Sequence, residues 1–76
     1  MNIIIYISNS CNDCKKALNI LNKHKLQYTT INIQDLSFQE KISIFNLSKK
    51  STIPIIKIND YFTTLNKLES TLKNFI

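Results

Sequence analysis

Between residues 2 and 25 the hydrophobic period changes once, and it changes at a pair of cysteines. Asn2-Ile-Ile-Ile-Tyr-Ile7 is a continuous apolar run of strand length, rich in β-branched residues. That is the pattern of a strand buried on both faces. From Cys14 onward the spacing is helical. Cys14, Ala17, Leu18, Leu21 and Lys25 fall at i, i+3, i+4, i+7 and i+11, with Lys15, Lys16, Asn19, Asn22 and Lys23 on the other side. The order is strand, short loop, dithiol, helix. At 76 residues the chain is expected to form one domain, residues 1–76, with room for a single core.

Cys11 and Cys14 are the two cysteines of the chain. Two cysteines placed at random fall at this separation about 3% of the time, so the spacing is itself informative. A structural staple explains it poorly. Closing so small a ring removes only about 2 kcal/mol of unfolded-state entropy, and the cytosol would hold the pair reduced. Zinc needs four ligands, and His24, the one other soft candidate, cannot complete a site within a monomer. A redox dithiol remains. Cys11 stands at the helix start, where unpaired N–H groups and the positive dipole end favour a thiolate, the reactive form. Cys14 lies one turn on, along the apolar stripe, close enough to be joined to Cys11 without backbone rearrangement. On this arrangement Cys11 attacks a substrate disulfide, and Cys14 resolves the mixed disulfide that forms. Asn12 and Asp13 tune the step. Asp13 puts a negative charge beside the thiolate and opposes the helix dipole, while Lys15 and Lys16 pull the other way. His24 falls at the far end of this helix, where the negative dipole end accounts for it.

Hydrophobic residues make up 43% and charged residues 20% of the chain, a globular balance. There are 14 Ile, 10 Asn and 10 Lys but no Val, Gly, Trp or Arg. Ile, Asn and Lys have AT-rich codons, so the skew reads as genomic drift. The net charge of +5 would suit a nucleic-acid partner. With Arg absent and Lys scattered along the chain, that role is not expected. No apolar run approaches the roughly 20 residues that span a bilayer, and Ile3–Ile7 is too short for a signal peptide. The expected compartment is the cytoplasm, without a membrane partner. Without glycine, positions with φ > 0 are expected to fall to Asn or Asp, and Asn59-Asp60 is one such turn.

Gln27 to Ile33 alternates and predicts a second, less buried strand. Ser37-Phe-Gln-Glu40 has capping-box spacing, and Phe38, Ile42 and Phe45 predict a helix from Phe38 to about Leu47. Lys49-Lys50-Ser51-Thr52 reads as a polar loop. A third strand follows over Ile53–Ile58, then the turn and a short fourth strand at Tyr61-Phe62-Thr63. Leu65, Leu68, Leu72 and Phe75 form the stripe of a closing helix. The Ile, Leu and Phe residues named here are expected to be core.

This β-α-β-α-β-β-α order, with Cys11-Asn12-Asp13-Cys14 after strand one and Thr52-Ile53-Pro54 before strand three, resembles the glutaredoxin branch of the thioredoxin fold over essentially the whole chain. The first motif fits the family's C-x-x-C and the second its T-V-P. The resemblance implies an α/β thioredoxin-like fold with a four-stranded mixed sheet flanked by three helices. It implies a dithiol–disulfide oxidoreductase that reduces protein or small-molecule disulfides. It implies that Pro54 is cis and that the backbone of Ile53 pairs with an extended substrate lying across Cys11. Asn12, Asp13, Thr52, Ile53, Pro54 and Thr64 are the substrate-binding residues it points to. No tightly bound cofactor is implied; glutathione enters as a co-substrate.

The sequence departs from the family at four places. Asn12-Asp13 replaces Pro-Tyr or Pro-Phe, and Ser8 stands where a Lys or Arg is usual. Thr63-Thr64 replaces Gly-Gly, and Asn66-Lys67 replaces an acidic pair. Thr64 retains a hydroxyl, and Lys50 a charge for a carboxylate. Two electron donors stay open: glutathione, or thioredoxin reductase, as in the short glutaredoxin-like redoxins that serve ribonucleotide reductase. The protein is expected to be a monomer.

A redox-inactive adaptor is the competing class, opposed by the retention of both cysteines and of Thr52-Ile53-Pro54. An iron–sulfur carrier of the family would resemble C-G-F-S at the site, which this chain does not. The tuning role of Asp13 is directly testable. In an Asp13→Asn variant the reduced Cys11 is expected to keep its thiolate to lower pH, followed by ultraviolet absorbance; an unmoved titration removes that role.

Overall fold

The computed structural model describes residues 1–49 and 52–75. The elements run β1 (Ile3–Ile7), α1 (Asn12–Lys23), β2 (Thr29–Asn32), α2 (Phe38–Ser48), β3 (Ile55–Ile58), β4 (Tyr61–Thr63) and α3 (Leu68–Lys73), with 3-10 turns at Ile33–Asp35 and Leu65–Lys67. The sheet order is β2-β1-β3-β4. β2 runs parallel to β1, β3 antiparallel to β1, and β4 antiparallel to β3. The expected mixed sheet with three helices is therefore present.

Register builds the core. Ile3, Ile5, Ile56 and Ile58 share one face of the sheet and cluster with Ala17 and Leu21 of α1 and Leu68 and Leu72 of α3. Burying each of these Ile and Leu side chains stabilises the fold by about 1.5–3 kcal/mol. On the other face Tyr6 pairs with Ile55, and both are buried. Burial pushes the Tyr6 phenol up. Further along that face Lys57 Nζ lies 5.8 Å from the centroid of the Phe62 ring. β1 is thus covered on both sides at Ile5 and Tyr6, while Ile4 and Ile7 are half-buried.

Several expectations need correction. α2 forms as foreseen but adds nothing to the first core, and Phe38 and Ile42 are 77% and 43% exposed. A short chain buries only about 60% of its unfolded surface, and the α1/α3 face takes that share. Phe75 is also exposed, because α3 ends at Lys73; its ring meets Tyr61 at 6.5 Å between centroids. β2 ends at Asn32 rather than Ile33, where the Asn32 side chain accepts the Gln34 N–H and turns the chain. Its start moves from Gln27 to Thr29, the partner of Ile4. β3 starts at Ile55, since Pro54 has no N–H to give the ladder. Of the predicted loop at 49–52, Lys50 and Ser51 lie outside the described residues.

The helix ends follow local chemistry. Ser37 and Glu40 form the full capping box: Ser37 Oγ accepts the Glu40 N–H at 3.2 Å, and Glu40 Oε1 accepts the Ser37 N–H at 2.9 Å. The Ser37 backbone bond holds the Glu40 carboxyl below its usual range. At the end of α1 the Lys25 N–H reaches Asn22 O at 2.9 Å and the Leu26 N–H reaches Leu21 O at 3.1 Å, the two bonds of a Schellman motif.

That motif needs a left-handed residue, and here it is Lys25, with φ 57°. Ser10, Lys49 and Asn59 are also left-handed, so among the described residues the expectation of Asn or Asp holds at Asn59 alone. Asn59 is secured on both sides: its N–H bonds Asn2 O at 2.7 Å, and its Oδ1 accepts the Asn2 N–H at 3.0 Å. Lys at such a position carries a steric cost that glycine does not. Lys25→Gly is therefore expected to raise stability by about 0.5–1 kcal/mol, read as a higher urea midpoint at unchanged slope with the dithiol in one redox state.

Candidate active site

Cys11 is the N-cap of α1. Its backbone is extended, and its Sγ accepts the N–H of Cys14 at 3.0 Å. One orphan donor of the helix start is thus aimed at the sulfur, the placement that favours a thiolate. Cys11 and Cys14 are joined as a disulfide, with Cα atoms 5.2 Å apart. Their environments differ. Cys14 is 3% exposed on the buried stripe with Ala17 and Leu21, whereas Cys11 is half-buried at the surface.

The loop that presents Cys11 is tied down from a distance. Ser10 turns the chain in the left-handed region just before it. Asn9 Nδ2 donates to Gln34 Oε1 at 2.7 Å, and Asn9 Oδ1 accepts from Asn32 Nδ2 at 2.9 Å. This amide chain links the loop to the end of β2. Sequence reasoning gave Asn9 and Gln34 no role, because nothing in their local pattern marks a contact 25 positions apart.

An open cleft of about 180 Å³ lies at Asp13, the residue before Cys14; its lining is Asp13, Thr52, Ile53, Pro54, Thr64, Leu65 and Asn66, with neither cysteine among them. The strand register explains the gathering. Tyr6 pairs with Ile55 and Ile56 with Thr63, so Pro54 and Thr64 lie at adjoining strand ends, next to the end of β1 that leads to Cys11. The Ile53–Pro54 bond is cis, as the resemblance implied. Of the residues singled out from sequence, Asp13, Thr52, Ile53, Pro54 and Thr64 line the cleft. Asn12 is exposed and outside its lining. Leu65, read as a helix stripe residue, belongs to the cleft as well; Asn66 had been noticed only as a replaced acid.

Among the described residues of this lining, Asp13 is the one acidic or basic side chain. Lys16 Nζ lies 3.8 Å from its Oδ1, but both side chains are more than half exposed, so water screens the pair. His24 caps the opposite end of α1, away from the cleft.

A glutaredoxin family model matches residues 3–63. No curated protein sequence matches the chain. Among solved structures, glutaredoxin 1 from Francisella tularensis, complexed with cacodylate, is similar at 20% identity and a TM-score of 0.76, covering 97% of this chain and 94% of its own. The glutaredoxin-like NrdH-redoxin from Escherichia coli, which has a thioredoxin-like activity profile, is 19% identical with a TM-score of 0.71, covering 90% of this chain and 95% of its own. Buckwheat glutaredoxin in complex with glutathione is 12% identical with a TM-score of 0.79, covering 96% of this chain and 69% of its own. At these identities the likeness establishes the thioredoxin-like fold, and the family match over most of the chain adds its chemistry. The chain belongs to the glutaredoxin family and is a thiol–disulfide oxidoreductase of that type.

Proposed function

We propose that this protein reduces protein disulfides, with Cys11 as the attacking thiol and Cys14 as the resolving one. The unequal burial of the two sulfurs is the observation that carries the reading: an incoming disulfide meets Cys11, and Cys14 is reached through it. In the reduced protein the Cys11 thiolate attacks one substrate sulfur. The substrate S–S bond breaks, and its second sulfur leaves as a thiolate that takes a proton. Cys14 then loses its proton and attacks Cys11, closing the internal disulfide and releasing the first substrate sulfur. Two electrons and two protons pass to the substrate. The Cys14 N–H, aimed at the Cys11 sulfur, stabilises the Cys11 thiolate before it attacks.

The cleft is the substrate groove of this proposal. Thr52 and Ile53 precede the ladder, so their backbone groups can pair with an extended chain. Pro54 and Leu65 offer apolar contact, and Thr64 a hydroxyl; Asn12, exposed and outside the lining, has no part in this groove. Glutathione carries two carboxylates and an ammonium. The described lining holds one charge, that of Asp13, and so has little to match them. An extended polypeptide asks mainly for backbone pairing. The proposal therefore favours protein disulfides, with thioredoxin reductase as donor and ribonucleotide reductase as a client of the kind the short redoxins serve. Glutathione as co-substrate is the second reading, favoured by the glutathione complex of the similar buckwheat protein. The proposal takes residues 1–76 as one domain, acting as a monomer in the cytoplasm without a tightly bound cofactor.

Insulin reduction driven by NADPH tests both parts. Wild type is expected to turn over with thioredoxin reductase alone, Cys11→Ser to fall to background, and Cys14→Ser to accumulate a mixed disulfide visible by mass. Turnover that needs glutathione and its reductase reassigns the donor. Absence of turnover with either donor returns the protein to the adaptor class.

A further inference from the structure

Two buried threonines bracket the segment that forms one wall of the cleft. Thr63 closes β4 and is 2% exposed; Thr71 lies in α3 and is 7% exposed. Thr71 Oγ1 donates to Lys67 O at 2.7 Å. A threonine hydroxyl has one proton. With that proton committed, the 2.9 Å contact between the two hydroxyls has one direction: Thr63 donates and Thr71 accepts. The chain of bonds runs from Thr63 through Thr71 to the Lys67 carbonyl. It spans Thr64, Leu65 and Asn66, all of which line the cleft.

A helix threonine commonly bonds the carbonyl four residues back. The added bond from the strand is what ties β4 to α3. It adds to the packing of Leu65 and Leu68 on the core at a place without a side-chain cap, since neither the 3-10 turn at Leu65–Lys67 nor the start of α3 has one. We propose that Thr63 and Thr71 are positioning residues for substrate, forming a buried hydroxyl strut that holds Thr64, Leu65 and Asn66 opposite Pro54. The inference rests on the reading of the cleft as the substrate groove.

The test measures kcat and KM with a cystine-bridged peptide, and the reduction potential of the dithiol, which the strut does not touch. Thr71→Val is nearly isosteric and removes both bonds. It is expected to raise KM about five- to tenfold, with kcat within about twofold of wild type and the potential unchanged. Thr71→Ser keeps the hydroxyl and is expected to return KM to within about twofold. Should Thr71→Val fail to fold, Thr63→Val carries the same readout. An unmoved KM in the valine variant overturns the strut, as does a serine variant as impaired as the valine one. Thr64→Ala and Asn66→Ala separate the two levels. If they raise KM and Thr71→Val does not, the strut alone falls; if none of the variants raises KM, the groove and the strut fall together.

Discussion

The packing of α1 on the sheet decides where the two sulfurs sit. Ala17 and Leu21 are wholly buried in one cluster with Ile5 and Ile56. A helix held by such a stripe cannot rotate without exposing it, and an exposed leucine costs about 1.5–3 kcal/mol. Cys14 is three residues before Ala17, so the same stripe draws it inside. Cys11 is one turn earlier, at the cap, and stays at the surface. The asymmetry of the dithiol thus originates in hydrophobic packing. The pairing of β1 with β3 then brings Pro54 to the end of β1 that leads to Cys11.

The absence of glycine shapes the rest. Among the described residues, four adopt a left-handed backbone, with Ser, Lys or Asn side chains. Each carries a steric cost of about 1–2 kcal/mol, and at two of them local hydrogen bonds offset it. Lys25 completes the Schellman motif, and Asn59 exchanges bonds with Asn2. The same composition alters the cleft. With Thr63-Thr64 where typical glutaredoxins have two glycines, a ligand cannot lie as close to the backbone. Thr63 instead turns inward to Thr71. The substitution removes one kind of ligand approach and supplies a hydroxyl for internal support.

The reading from sequence succeeded where interactions are local. The capping box at Ser37 and Glu40 is present because its partners are three residues apart. β4 forms at Tyr61–Thr63, after the Asn59-Asp60 turn. It failed where burial depends on what lies across the fold. Phe38, Ile42 and Phe75 have core chemistry and helical spacing, yet all three stay exposed, Phe75 with its ring against Tyr61 of β4. Leu65, assigned by the same spacing to a helix face, packs against the core from the 3-10 turn before α3 and borders the cleft as well.

The amino-acid sequence by itself determined the order of the elements, the start of α1, the extent of α2, and the place of the dithiol at a helix head, whereas the helical spacing carried on to Lys25, two residues past the end of α1. These rest on hydrophobic period, capping and turn chemistry within a few neighbouring residues. Only the tertiary structure decided that Asp13, Pro54, Thr64 and Asn66 face one cleft, that Asn9 is held by Gln34, and that Thr63 meets Thr71. Such encounters follow from strand register and helix docking. An alternating or helical pattern identifies the face a residue occupies, not the residue that will stand opposite it.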